Sequence, residues 1–171
     1  MLTGFQLRAA RSSVSLYLKD VTGALGLHAS TLTRLEAQTP NLSYINSNTR
    51  TSLLLKNFYE SKGLLFPYYN SIGISYKNRN SKLNSQFSRF QLKISRTALR
   101  LSRRELGNIL SIPETSIAGW ETGQRNLLST FFPQDSSVLE TMKFYFRSKG
   151  IIHKNFNIVE LLDDPEHINI K

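Results

Sequence analysis

Cysteine is absent from this chain, which excludes a disulfide framework, a thiolate metal site and a cysteine nucleophile, and suits a reducing compartment. No apolar run approaches the roughly 18 residues that a membrane-crossing helix needs, so no membrane partner is expected. Prolines number only five, while 40% of residues are apolar and 11% aromatic, a balance that excludes wholesale disorder. Acidic residues are the scarcest relative to their counterparts: 12 Asp and Glu face 22 Lys and Arg, a formal charge of +10. Between Ser61 and Arg104 there is no acid at all, against ten bases: Lys62, Lys77, Arg79, Lys82, Arg89, Lys93, Arg96, Arg100, Arg103 and Arg104. Such a one-sign block reads either as a solvated surface or as a phosphate-binding one, and the net charge favours a polyanionic partner. Chemistry-bearing motifs are missing too. There is no HExxH, Gly-rich phosphate loop or nucleophile elbow, and the three histidines, His28, His153 and His167, are scattered. The expectation is a protein that is not an enzyme and holds no metal or cofactor.

What is present is a repeat. At an offset of 85 residues, Phe5-Gln6-Leu7 falls on Phe90-Gln91-Leu92, Arg8 on Lys93, Arg11 on Arg96, Leu16 on Leu101, Leu25 on Leu110 and Glu36 on Glu121. After a two-residue insertion the match resumes with Lys56-Asn57-Phe58-Tyr59 on Lys143-Phe144-Tyr145-Phe146, and Ser61-Lys62-Gly63 on Ser148-Lys149-Gly150. The register spans a domain length, so the reading is two homologous domains, 1–75 and 87–171, with a basic, polar linker at 76–86. The repeat also argues against a transit peptide in the Arg-containing N-terminus, because the same stretch recurs at residue 90.

Each copy has helical periodicity. In the second, Phe90 to Leu101 forms a first helix and its exit. Ser102-Arg103-Arg104-Glu105 is a capping box that opens a second helix to about Leu110, and a third runs from Glu114 to Thr122 with Gly123 as its stop. An amphipathic helix around Val138 to Ser148 ends at Gly150, and Ile151-Ile152 and Ile158-Val159 flank a Lys154-Asn155 turn, a short hairpin. The first copy repeats this with a helix over Leu53 to Ser61, then Gly63, and apolar runs Leu64 to Phe66 and Ile72 to Ile74.

The stretch LSRRELGNILSIPETSIAGWETGQR, residues 101–125, resembles the second and third helices of the Cro/repressor-like (XRE) helix-turn-helix family, including its aromatic-Glu-x-Gly ending. The resemblance covers nearly all of the chain outside the linker. It implies a mainly α fold of two tandem lambda-repressor-like helix-turn-helix domains, each ending in a helix and a short β-hairpin. It implies base-edge contacts from Glu114, Thr115, Ala118 and Gly119 in the second copy, and from Ala29, Ser30, Thr33 and Arg34 in the first. Phosphate contacts fall by the same resemblance to Arg103, Arg104, Gln124 and Arg125, and to Lys19 and His28; the one-sign basic block adds Arg79 and Lys82 of the linker as phosphate candidates. Arginine bidentate to guanine is the commonest specific base contact, whereas a carboxylate such as Glu114 accepts from cytosine N4 or pairs with a cation. Leu32, Leu35, Ile117 and Trp120 read as core, and Glu36 and Glu121 as structural partners of Arg11 and Arg96.

The function so implied is a sequence-specific regulator of transcription that binds double-stranded DNA in a bacterial cytoplasm, at the nucleoid, of chromosomal or phage origin. Its recognition helices would lie near 29–37 and 114–122 and act as a covalent pseudo-dimer, or a higher dimer, on a two-part operator. A homodimer and a protein partner in the transcription machinery are further implied partners. The competing expectation is an antirepressor or antiactivator that pairs with another regulator and never grips DNA. Motivating it are the first copy, with Tyr17 where a cap is wanted and no glycine after Ala37-Gln38-Thr39-Pro40, and the acid at Glu114.

Overall fold

Thr3 and Ser88 each stand three residues before a glutamine, the signature of a reciprocal cap at a helix start. In the computed structural model, which describes residues 1–38, 42–75, 87–122 and 137–162, both begin a helix: α1 is Gly4–Ser13 and α5 is Arg89–Ala98. The Thr3 hydroxyl accepts from the Gln6 amide at 3.2 Å and Gln6 Oε1 accepts from the Thr3 amide at 3.0 Å; Ser88 and Gln91 repeat both bonds, at 3.1 and 2.9 Å.

The chain falls into two compact units, Met1–Ser75 and Tyr76–Lys171. In the first, α1 is followed by α2 (Leu18–Leu25), α3 (Ala29–Ala37), α4 (Thr49–Ser61), β1 (Leu64–Leu65) and β2 (Ser71–Ile74). In the second, α5 is followed by α6 (Arg103–Leu110), α7 (Glu114–Thr122), α8 (Ser137–Ser148), β3 (Ile151–Lys154) and β4 (Ile158–Leu161). The described chain is thus mainly helical, with short antiparallel strand pairs. Leu64 lies opposite Ile74 in the first, and Ile151 opposite Leu161 in the second.

Equivalent residues do equivalent work. Leu2, Phe5, Leu7, Val21 and Leu32 are buried where Phe87, Phe90, Leu92, Leu106 and Ile117 are buried; beyond the two-residue insertion, Leu55, Tyr59, Leu64 and Ile72 answer to Met142, Phe146, Ile151 and Val159. Full burial of each such side chain contributes roughly 1.5–3 kcal/mol. The helix-to-strand turn is made at Gly63 (φ 86°) and Gly150 (φ 78°), left-handed positions that favour glycine. Each first helix is also clipped to the turn of its own hairpin. Thr3 Oγ1 donates to the Tyr69 carbonyl at 3.1 Å and Ser88 Oγ to that of Phe156 at 2.6 Å; Gln6 Nε2 donates to Tyr68 and Ser71, and Gln91 Nε2 to Asn155.

β1 is shorter, and β2, β3, β4 and α4 are longer, than the apolar runs suggest. Asn48 accepts from the Thr51 amide at 2.7 Å and starts α4 four residues before Leu53. Phe66 lies beyond β1, and Lys154 belongs to β3, the left-handed Asn155 (φ 54°) opening the turn instead. Trp120, read as core, is half-buried, whereas its counterpart Leu35 is fully buried.

One close approach yields a first prediction. A Cβ on Gly107 would lie 2.5 Å from the Ile112 carbonyl oxygen, because the turn after α6 folds back over that residue. Gly107→Ala should therefore cost about 1–3 kcal/mol through a forced backbone shift, read as a lower urea midpoint for the full chain. An unchanged midpoint would mean that the turn yields without cost.

Candidate nucleic-acid interface

Three residues join the second and third helices of each unit: Gly26, Leu27 and His28 between α2 and α3, and Ser111, Ile112 and Pro113 between α6 and α7. The first residue of each turn is left-handed, Gly26 at φ 62° and Ser111 at φ 56°. The second returns its amide to the preceding helix, Leu27 to the Thr22 carbonyl at 3.0 Å and Ile112 to that of Gly107 at 2.8 Å. These bonds satisfy carbonyls that a helix end leaves open and fix the direction in which the third helix departs.

The helices enter these turns with different caps. Ser102 and Glu105 form the reciprocal box expected of them, at 3.1 and 2.6 Å, and the hydrogen bonds from the Ser102 backbone and side chain hold the Glu105 carboxyl below its ordinary pKa. Tyr17 contributes no side-chain cap to α2, but Asp20 Oδ2 accepts from its amide at 2.7 Å and supplies half of the same device.

The third helices bury one face and expose the other. Leu32, Leu35 and Glu36 of α3 and Ile117 and Glu121 of α7 face inward. Ala29, Ser30, Thr33, Arg34 and Ala37 are exposed on α3; Glu114, Thr115, Gly119 and Thr122 are exposed on α7, with Ala118 half-buried among them. Spacings of one, four, five and eight residues put each set on a single stripe. All eight residues to which the family resemblance assigns base contacts therefore lie on these two stripes. Both stripes carry short side chains apart from Arg34 and Glu114.

Buried ion clusters anchor these helices from behind. Arg11 donates from Nε and Nη2 to the two carboxylate oxygens of Glu36 at 2.6 and 2.7 Å, and from Nη1 to the Leu16 carbonyl at 3.2 Å. Arg96 repeats the pattern on Glu121 at 2.6 and 2.8 Å and on Leu101 at 2.6 Å. The pairings anticipated for Glu36 and Glu121 are thus met, and each ties the first helix to the last turn of the third. The hydrogen bond to Glu36 raises the Arg11 pKa against the cost of burial. Burial pushes the Glu121 carboxyl upward, but the bonds and charges of Arg96 and Arg103 outweigh it and hold the pKa below the ordinary value.

Arg103 therefore has a structural partner that the sequence reading did not give it: its Nε donates to Glu121 Oε2 at 2.8 Å, and its side chain is 35% exposed. Arg104 projects outward, 80% exposed, with Nε 3.7 Å from Glu114 Oε2. The exposed Lys19 holds the matching place in α2, its Nζ 6.0 Å from the Tyr17 ring. His28 sits at the N-cap of α3 without a side-chain cap bond. Arg79 and Lys82 of the linker, and Gln124 and Arg125 after α7, lie outside the described residues, as does Gly123. The basic block is not one surface, since Arg89 and Lys93 are buried in α5.

The Ser/Thr-x-x-Gln signature marks the caps at Thr3 and Ser88, but the further bonds of Gln6 and Gln91 to their hairpin turns span 62 to 65 residues and carry no local signal. The Ser95–His153 pair, Oγ to Nε2 at 2.8 Å, left no local signal, being 58 residues apart in sequence. Among the described residues there is no group of His, Asp or Glu arranged to hold a metal ion, and no helix long and apolar enough to cross a membrane. No family model, curated protein or solved structure matches the chain.

Proposed function

We propose that each unit is a helix-turn-helix domain of the Cro/repressor-like kind and that the chain is a sequence-specific double-stranded DNA-binding regulator of transcription. The observation that carries this reading is the repetition, at one 85-residue offset, of a short-residue exposed stripe on a third helix that is braced from behind by an arginine–glutamate pair. Two such stripes on one chain suit a covalent pseudo-dimer on a two-part operator. Lys19 and Arg104, exposed at matching positions near the starts of α2 and α6, are the described cations best placed for phosphate. The charge of +10 supplies the attraction.

A second reading, pairing with another regulator protein, draws on the acid at Glu114 and the absent side chain at Gly119. Titration separates them. The full chain is titrated against a labelled duplex at 50 and 200 mM salt. With about four phosphate contacts, affinity should fall on the order of 100-fold over that interval, and the Lys19→Ala/Arg104→Ala variant should show a shallower dependence. Absence of salt-dependent binding would favour the protein-partner reading.

A further inference from the structure

We propose, resting on the DNA reading above, that the two units read different bases with different turns of the third helix: guanine by Arg34 in the first, cytosine by Glu114 in the second. The repeat register aligns Ala29 with Glu114 and Arg34 with Gly119. Each stripe thus carries one long hydrogen-bonding side chain, and the two units place it differently. In α3 it stands in the second turn and the first-turn position is an alanine; in α7 it stands in the first turn and the second-turn position has no side chain. All four positions are exposed.

The chemistry of the two groups is opposite. A guanidinium donates in a fork that fits guanine O6 and N7, whereas a carboxylate accepts and suits the cytosine N4 amino group. A carboxylate near phosphates is repelled unless a cation accompanies it. Arg104 provides that cation, its Nε 3.7 Å from Glu114 Oε2, on the neighbouring helix and open to solvent. Arg34 is steadied by a contact of its own, Nη1 to the Asn46 carbonyl at 3.4 Å. The operator halves are therefore unequal, with the guanine and the cytosine at different distances from their half-site centres.

The fold does not demand this asymmetry. A Cβ built on Gly119 meets nothing within 4 Å, so the second unit can carry an arginine at the first unit's reading position. The test selects bound duplexes from a random library with the full-length wild type, with Glu114→Ala/Gly119→Arg, and with Glu114→Gln. The wild type should yield a two-part motif with a guanine in one half and a cytosine, differently spaced, in the other. The double variant should replace the cytosine preference by a guanine at the register of the first half, moving the two half-sites toward one sequence. Glu114→Gln should shift the cytosine to adenine, with discrimination of roughly tenfold in each case. A wild-type motif with like halves, or motifs unchanged in both variants, would overturn the assignment while leaving DNA binding intact. Failure of the wild type to enrich any duplex would overturn the DNA reading, and this one with it.

Discussion

Replacing Glu121 by alanine should destabilise the second unit by about 3–5 kcal/mol, the cost of removing one side of a buried ion cluster and leaving its cations behind. The Glu121 carboxylate is wholly buried and receives Arg96 through two hydrogen bonds and Arg103 through a third, while the Arg96 side chain is only 12% exposed. Neither guanidinium gives up its charge when the acid is lost. Glu36→Ala should cost less, because the side chain of Arg11, its ion-pair partner, is 26% exposed and water can reach it. The measurement is urea unfolding of the full chain followed by the fluorescence of Trp120, which lies in α7 beside Glu121 and is the chain's one tryptophan. Glu121→Gln, which keeps the shape and loses the charge, should fall between wild type and alanine. A loss below about 1 kcal/mol for Glu121→Ala would mean that the cluster does not brace the third helix.

Acid should weaken the same unit steeply, and His153 is the reason. Its ring is held at the end of a bond to Ser95, with Phe87 edge-on at 4.8 Å. Burial, aided by the charge of Lys143, lowers its pKa from 6.5 to about 3. The unfolded chain takes up the proton near pH 6.5 and the folded chain does so only near 3. Stability is therefore full above pH 6.5 and falls between these values, at a rate approaching about 1.4 kcal/mol per pH unit. The first unit indicates how to isolate this effect, since the repeat aligns Ser95 with Ala10 and His153 with Phe66. A Ser95→Ala/His153→Phe variant replaces a hydrogen-bonded pair by two apolar groups, which can be nearly neutral at pH 7. Its urea midpoint should stay level between pH 6.5 and 5, where the wild type declines. Parallel declines would assign the acid sensitivity to groups other than His153; the Glu121 carboxyl, held below its ordinary value, gives up its contribution only at pH below that window.

The repeat made much of this architecture legible. Phe5 and Phe90, Leu32 and Ile117, and Gly63 and Gly150 carry the core and the turns in both units, and the local pattern located the third helix of the second copy at 114–122, whose counterpart in the first copy lies at 29–37. The ion pairs were visible because an arginine and a glutamate recurred together at the same offset. What escaped depended on contacts distant in sequence. Tyr69 and Phe156 accept the cap hydroxyls of Thr3 and Ser88 through their carbonyls, and a carbonyl is carried by every residue. The second role of Arg103 arises because the start of α6 packs near the end of α7, which the spacing of 18 residues does not announce. The extra turn of α4 was hidden because Asn48 precedes Thr49, Arg50 and Thr51, polar residues that carry no helical stripe.

The most direct measurement is hydroxyl-radical footprinting of the full chain on a duplex selected from a random library, beside Arg34→Ala and Glu114→Ala variants. Two DNA-reading units predict two protected patches about one helical turn, roughly 34 Å, apart or a multiple of it, with each variant weakening its own patch first. A single patch, or no protection at salt concentrations where the chain remains folded, would contradict a regulator that reads DNA with both units.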